Sequence, residues 1–107
     1  MSPDKYTQGI LKLLEETKGE DVQLIDVRDL TPFSEYYILV TATNTRQMNA
    51  IKDAVVEKIE SMKGSVNHVE GNEASGWILV DAYHVIVNIF SKEERERISL
   101  EKILARR

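Results

Sequence analysis

Apolar residues recur along this chain in two periods, and the switches between them mark out its elements. Tyr6, Ile10, Leu13, Leu14 and Thr17 return at helical spacing, which predicts an amphipathic helix over Asp4–Lys18. Pro3 suits the first turn of that helix and Gly19 its C-terminal cap. Val22–Val27 reads as a first strand, followed by a Pro-containing loop over Arg28–Ser34. Tyr36–Thr43 is a continuous run of aromatic and β-branched residues, the pattern of a central strand buried on both faces.

Asn44 and Gln47 form an N-terminal capping pair for a second helix. Its apolar stripe runs through Met48, Ile51, Val55, Ile59 and Met62 and ends before Gly64. A short strand is expected over Ser65–Val69, then a turn over Glu70–Gly76. Trp77–Asp81 and a run from Tyr83 or His84 to Phe90 lie too close together for anything but a tight hairpin. Ser91 and Glu94 make a capping box for a helix over Lys92–Arg97. Ser99 starts a further short turn that carries Leu100, Ile103 and Leu104. The predicted order is α-β-β-α-β-β-β-α: one α/β domain over residues 1–107, with a mixed sheet of about five strands covered by helices.

Composition narrows the function classes. With 42% hydrophobic and 30% charged residues the chain is globular, and without cysteine it has neither disulfides nor thiolate metal sites. No apolar run is long enough for a membrane-spanning helix. The start, Met1–Tyr6, has no basic-then-apolar signal, so the expectation is a cytoplasmic protein. The net charge is −4, from 18 acidic and 14 basic residues, and the basic ones are interspersed with acids. Direct nucleic-acid binding rests on Lys and Arg neutralising phosphates, so this pattern disfavours it and suits a basic protein partner instead.

Candidate chemistry is sparse. His68 and His84 fall on different strands, without the spacing of a zinc site. There is no nucleophile elbow around a serine and no glycine-rich phosphate loop. The strand leading into Thr41–Thr45 and then a helix has the form of an anion site at a helix N-terminus. A nucleotidyltransferase would add a pair of metal-binding carboxylates on the next strand, and Ser65–Val69 has none, so this turn is read as a capping device. Trp77 is the only tryptophan, and strand alternation puts it on one face with Leu79 and Asp81. It can be core, or the anchor of an interface.

Several of these segments together resemble a known family. Leu24–Leu30, Glu35–Val40 and Thr45–Ile51 closely resemble the ribosomal silencing factor family, also called the Iojap family, and so do Val69–Gly71, Gly76–Asp81, Val85–Phe90, Glu93–Glu96 and Leu100–Glu101. The likeness is collinear from about residue 5 to residue 104. It implies a nucleotidyltransferase-like fold without the catalytic residues, no cofactor, and a homodimer. It also implies binding to a basic protein, number fourteen of the large ribosomal subunit, on the face that meets the small subunit. Occupying that face blocks joining and represses translation under nutrient limitation.

Carried over residue by residue, the resemblance places the interface on Trp77, Leu79 and Asp81, with Glu70 at the rim and Asn88 where the family usually has His. The family's Asp-Tyr-Gly-Asp hairpin reads Asp81-Ala-Tyr-His84 here. Ile98 replaces an aromatic, and the terminal aromatic is absent. The expected function is therefore a non-enzymatic antiassociation factor. The alternatives are a nucleotidyltransferase-like enzyme or nucleotide-binding module, or a homodimeric structural adaptor.

Overall fold

Residues 4–106 are described by a computed structural model. Helices α1 (Lys5–Glu16), α2 (Thr45–Ser61), α3 (Lys92–Arg97) and α4 (Leu100–Arg106) surround strands β1 (Glu20–Asp26), β2 (Tyr36–Ala42), β3 (His68–Asn72), β4 (Trp77–Ala82) and β5 (Val85–Ser91). The strands form one mixed sheet in the order β1-β2-β5-β4-β3. Only β2 and β5 run parallel, in the register Tyr36↔Val85 to Ala42↔Ser91. The expected order and the five-stranded mixed sheet hold, and the turn after Ser99 forms a helix of its own.

Local chemistry accounts for the helix ends. Asp4 caps α1 by accepting the Thr7 amide at 2.8 Å; the Pro3 expectation lies outside the described residues. Asn44 caps α2 by accepting the Gln47 amide at 2.7 Å. The Gln47 side chain accepts in return from the Thr43 amide at 2.6 Å and the Thr43 hydroxyl at 2.8 Å, so the Thr-rich turn does serve as a cap. Ser91 caps α3 by accepting the Glu94 amide at 3.1 Å.

Both long helices end on Lys-Gly, and here the expectation for Gly19 needs correcting. Lys18 and Lys63, each at φ 62°, occupy the left-handed position, and the glycine comes one residue later. The Gly19 amide reaches back to the Leu14 carbonyl at 3.1 Å, and the Gly64 amide to Ile59 at 2.9 Å. The glycines are needed for space: a Cβ would overlap Val40 at Gly19 and the Tyr6 ring at Gly64.

The middle of the chain also departs from expectation. β3 begins at His68 rather than Ser65 and runs through Glu70 and Gly71 to Asn72, where the sequence predicts a turn. Pairing with β4 holds this segment extended against its weak strand propensity, with His68↔Asp81, Glu70↔Leu79 and Asn72↔Trp77 opposite one another. All five of its residues are exposed, as suits a strand at the sheet edge.

β2 is buried at every position, as its continuous apolar run predicts. On one face of the sheet, Ile38, Val40, Ile78, Val80, Val87 and Ile89 pack under α1 and α2 through Ile10, Leu14, Met48, Ile51, Val55 and Ile59. On the other, Tyr37, Leu39, Trp77, Leu79, Ile86 and Phe90 pack with Ile103, Ile98 and Leu104 from the C-terminal segment. Arg95 on α3 fastens that segment to the sheet, donating to the Thr41 hydroxyl and the Asp21 carbonyl, both at 2.9 Å. Burial, only partly offset by Asp21, lowers the pKa of this guanidinium.

Candidate docking surface

The sequence points to the Trp77 face of the sheet, and the structure covers most of it. Trp77 is 8% exposed, Leu79 and Asp81 are each 2% exposed and Asn88 is fully buried. The expectation of an open aromatic sheet face is overturned, because Ile98, Ile103 and Leu104 lie over it. Trp77 donates its indole N–H to the Asn88 side-chain oxygen at 3.0 Å and packs on Phe90 with ring centroids 5.2 Å apart. Asn88 thus holds the tryptophan inside the fold, while its own side-chain N–H group finds no acceptor among the described residues.

Asp81 is a buried carboxylate that organises the adjoining turn. It accepts the Tyr83 amide at 2.9 Å and the Asn67 side-chain amide at 3.3 Å, and His68 Nδ1 lies 3.5 Å away. Of the five sequence-named residues only Glu70 reaches the surface, where it sits 3.7 Å from His68 Nε2.

The topology gathers another set of side chains at one end of the sheet. Antiparallel β1–β2 and parallel β2–β5 put the loop after β1 beside the hairpin before β5. The two are bonded together: the Ser34 hydroxyl donates to the Tyr83 carbonyl at 3.1 Å, and the Glu35 amide to the His84 carbonyl at 2.8 Å. The His84 ring, in turn, lies 4.9 Å from the Tyr6 ring and 3.3 Å from the Asp4 carboxylate. Burial opposes ionisation of Asp4, but the Thr7 hydrogen bonds and His84 outweigh it and leave the carboxyl below its usual pKa. Asp26 is held down to about 2, first by hydrogen bonds from the Arg28 side chain and then by its backbone. Asp4 and Asp26 therefore stay charged at neutral pH.

Leu30, Phe33 and Tyr83 are exposed here; the sequence marks Tyr83 only as part of the altered hairpin, and sequence reasoning passed over Leu30 and Phe33. The available signal for Leu30 and Phe33 was large apolar residues inside a loop, outside any helical or strand period. At the opposite end of the sheet, a cleft of about 420 Å³ lies between Asn44, Thr45, Glu73, Ser91 and Glu94. The Asn44 and Ser91 side chains there are already engaged as caps. Among the described residues, no group of three or more His, Asp or Glu could hold a metal ion, and no helix is long and apolar enough to cross a membrane.

Comparison with known proteins agrees across the whole fold. A family model described as ribosomal silencing factor during starvation matches residues 2–106. A protein of Haemophilus influenzae named ribosomal silencing factor is 30% identical over 96 residues, covering 90% of this chain and 94% of its own. One of the same name from Bacillus subtilis is 26% identical over 100 residues, covering 90% of this chain and 85% of its own. The crystal structure of a Chromobacterium violaceum protein superimposes with a TM-score of 0.84 at 28% identity, covering 98% of this chain and 85% of that one.

Proposed function

This chain belongs to the ribosomal silencing factor family, and from that premise we propose that it silences ribosomes by docking on the large subunit and barring the small one. The observation that carries the reading is a family match over residues 2–106, which spans every helix and strand rather than one motif. Obstruction needs no bond made or broken; it needs a folded body held where another must sit. A body of 32 × 30 × 22 Å is large enough to keep two surfaces apart.

The partner proposed is the basic large-subunit protein number fourteen, on the joining face. The net charge of −4 supports that choice, since opposite potentials steer encounter and fix register. Glu70 contributes to the rim of the contact, while Trp77, Leu79, Asp81 and Asn88 form the rigid layer beneath it. The protein acts in the cytoplasm, represses translation when nutrients are scarce, and works without catalysis or cofactor. The reading includes a homodimer, supported by the open outer edge of β3, whose residues are all exposed.

Sedimentation tests the proposal. Purified protein mixed with salt-washed large subunits at micromolar concentration should pellet with them, and adding small subunits afterwards should yield fewer joined ribosomes. Protein that stays in the supernatant, with joining unaffected, overturns the reading.

A further inference from the structure

Among the described residues, four large apolar side chains stand strongly exposed, and three of them share one end of the molecule. Leu30 is 55% exposed, Phe33 68% and Tyr83 53%. Phe33 and Tyr83 line one shallow groove of about 290 Å³, together with Arg28, Pro32 and His84. The end is preorganised: hydrogen bonds from Ser34 and Glu35 tie the loop to the hairpin, and Asp81 fixes the Tyr83 amide. Little ordering entropy is left to lose on binding.

The backbone at Tyr83 adds an independent observation. Its φ is 69°, in the left-handed region where a bulky residue is disfavoured and glycine is at ease. An aromatic ring is thus held on a strained turn, more than half exposed, with no core to fill. Strain kept at an exposed site is characteristic of recognition surfaces.

Charge decides what kind of surface fits. Residues 26–35 carry Asp26, Asp29 and Glu35, all exposed, against the single guanidinium of Arg28. That guanidinium is already held by the Asp26 carboxylate and lies over the Tyr36 ring, 5.5 Å from its centroid. Asp4 adds a further carboxylate beside His84. Phosphate groups of RNA are repelled by such a rim, whereas lysines and arginines of a protein are drawn to it.

We infer that the Leu30–Phe33–Tyr83 end is the anchor by which this chain grips a basic protein surface. Phe33 and Tyr83 enter the contact as its apolar centre, and Asp29 and Glu35 form the steering rim. The inference rests on the docking function proposed above and names the surface that performs it.

The test measures binding of fluorescently labelled protein to salt-washed large subunits and to protein-free ribosomal RNA. Phe33→Ala combined with Tyr83→Gly should weaken subunit binding at least tenfold while leaving the thermal midpoint within a few degrees of the parent. Glu35→Lys alone should lower the association rate severalfold at low salt and lose that effect at high salt. If the double variant proves unstable, the Glu35→Lys rate decides the matter. Binding by a folded double variant equal to the parent, an unaltered Glu35→Lys rate, or equal affinity for naked RNA overturns the inference. If the parent itself fails to bind large subunits, the docking function falls first, so the two failures are distinguishable.

Discussion

The two faces of the sheet are covered in different ways. One lies under α1 and α2, helices of 12 and 17 residues whose buried stripes are almost wholly apolar. The other lies under the C-terminal segment, where α4 has 7 residues and the cover comes from Ile98, Ile103 and Leu104. This second layer also contains a polar seam, the Trp77 indole bonded to Asn88. Long periodic helices announce which face they will bury; a short cover from the end of the chain does not. The Trp77 face is therefore open to two readings in the sequence, core or interface, and is interior in the fold.

Substitutions can break or sharpen that contrast. The largest effect is expected for Trp77→Ala, about 3–5 kcal/mol lost in denaturant unfolding, as for a fully packed core tryptophan. A loss below about 1 kcal/mol would return Trp77 to the surface and erase the difference between the two faces. Next comes a matched pair of buried isoleucines. Ile51→Ala under the long helices should cost about 4 kcal/mol, and Ile103→Ala in the thin cover about 2 kcal/mol, because a short helix can settle into the space left behind. Equal costs would mean that both covers are equally rigid.

Asn88→Ala should cost about 1–3 kcal/mol by leaving the Trp77 N–H buried without its acceptor. A neutral result in the same unfolding assay would show that water or a neighbouring group replaces Asn88. The smallest effect is expected outside both layers: Tyr83→Gly should be neutral or stabilising by up to about 1 kcal/mol, because it relieves the positive φ. A thermal midpoint lowered by several degrees would show that the Tyr83 ring supports the fold after all.

Much of the local structure was legible in the residues. Asn44 with Gln47 and Ser91 with Glu94 signalled helix starts that the structure places where expected. Tyr36–Ala42 signalled a central strand, and it is buried throughout. β3 was misplaced by three residues at its start because His68–Asn72 has little strand propensity and is drawn into the sheet only by β4. The surface was less legible still. Asp81 and Asn88 carry polar groups that suggest contact with a partner, yet they spend them on Tyr83 and Trp77 inside the chain. Leu30 and Phe33 gave no periodic signal, since they belong to a loop.

By itself, the sequence determined the element types, the caps, the mixed α/β class, the acidic balance and the family likeness. These rest on interactions within a few residues, or on composition, and both can be read along a single strand of text. Tertiary structure alone decided that the C-terminal segment covers Trp77 and that two turns some fifty residues apart become one rigid end, with Ser34 bonded to Tyr83 across 49 positions. Those outcomes depend on the parallel pairing of β2 with β5 and on burial shared among distant residues. No local period encodes either one.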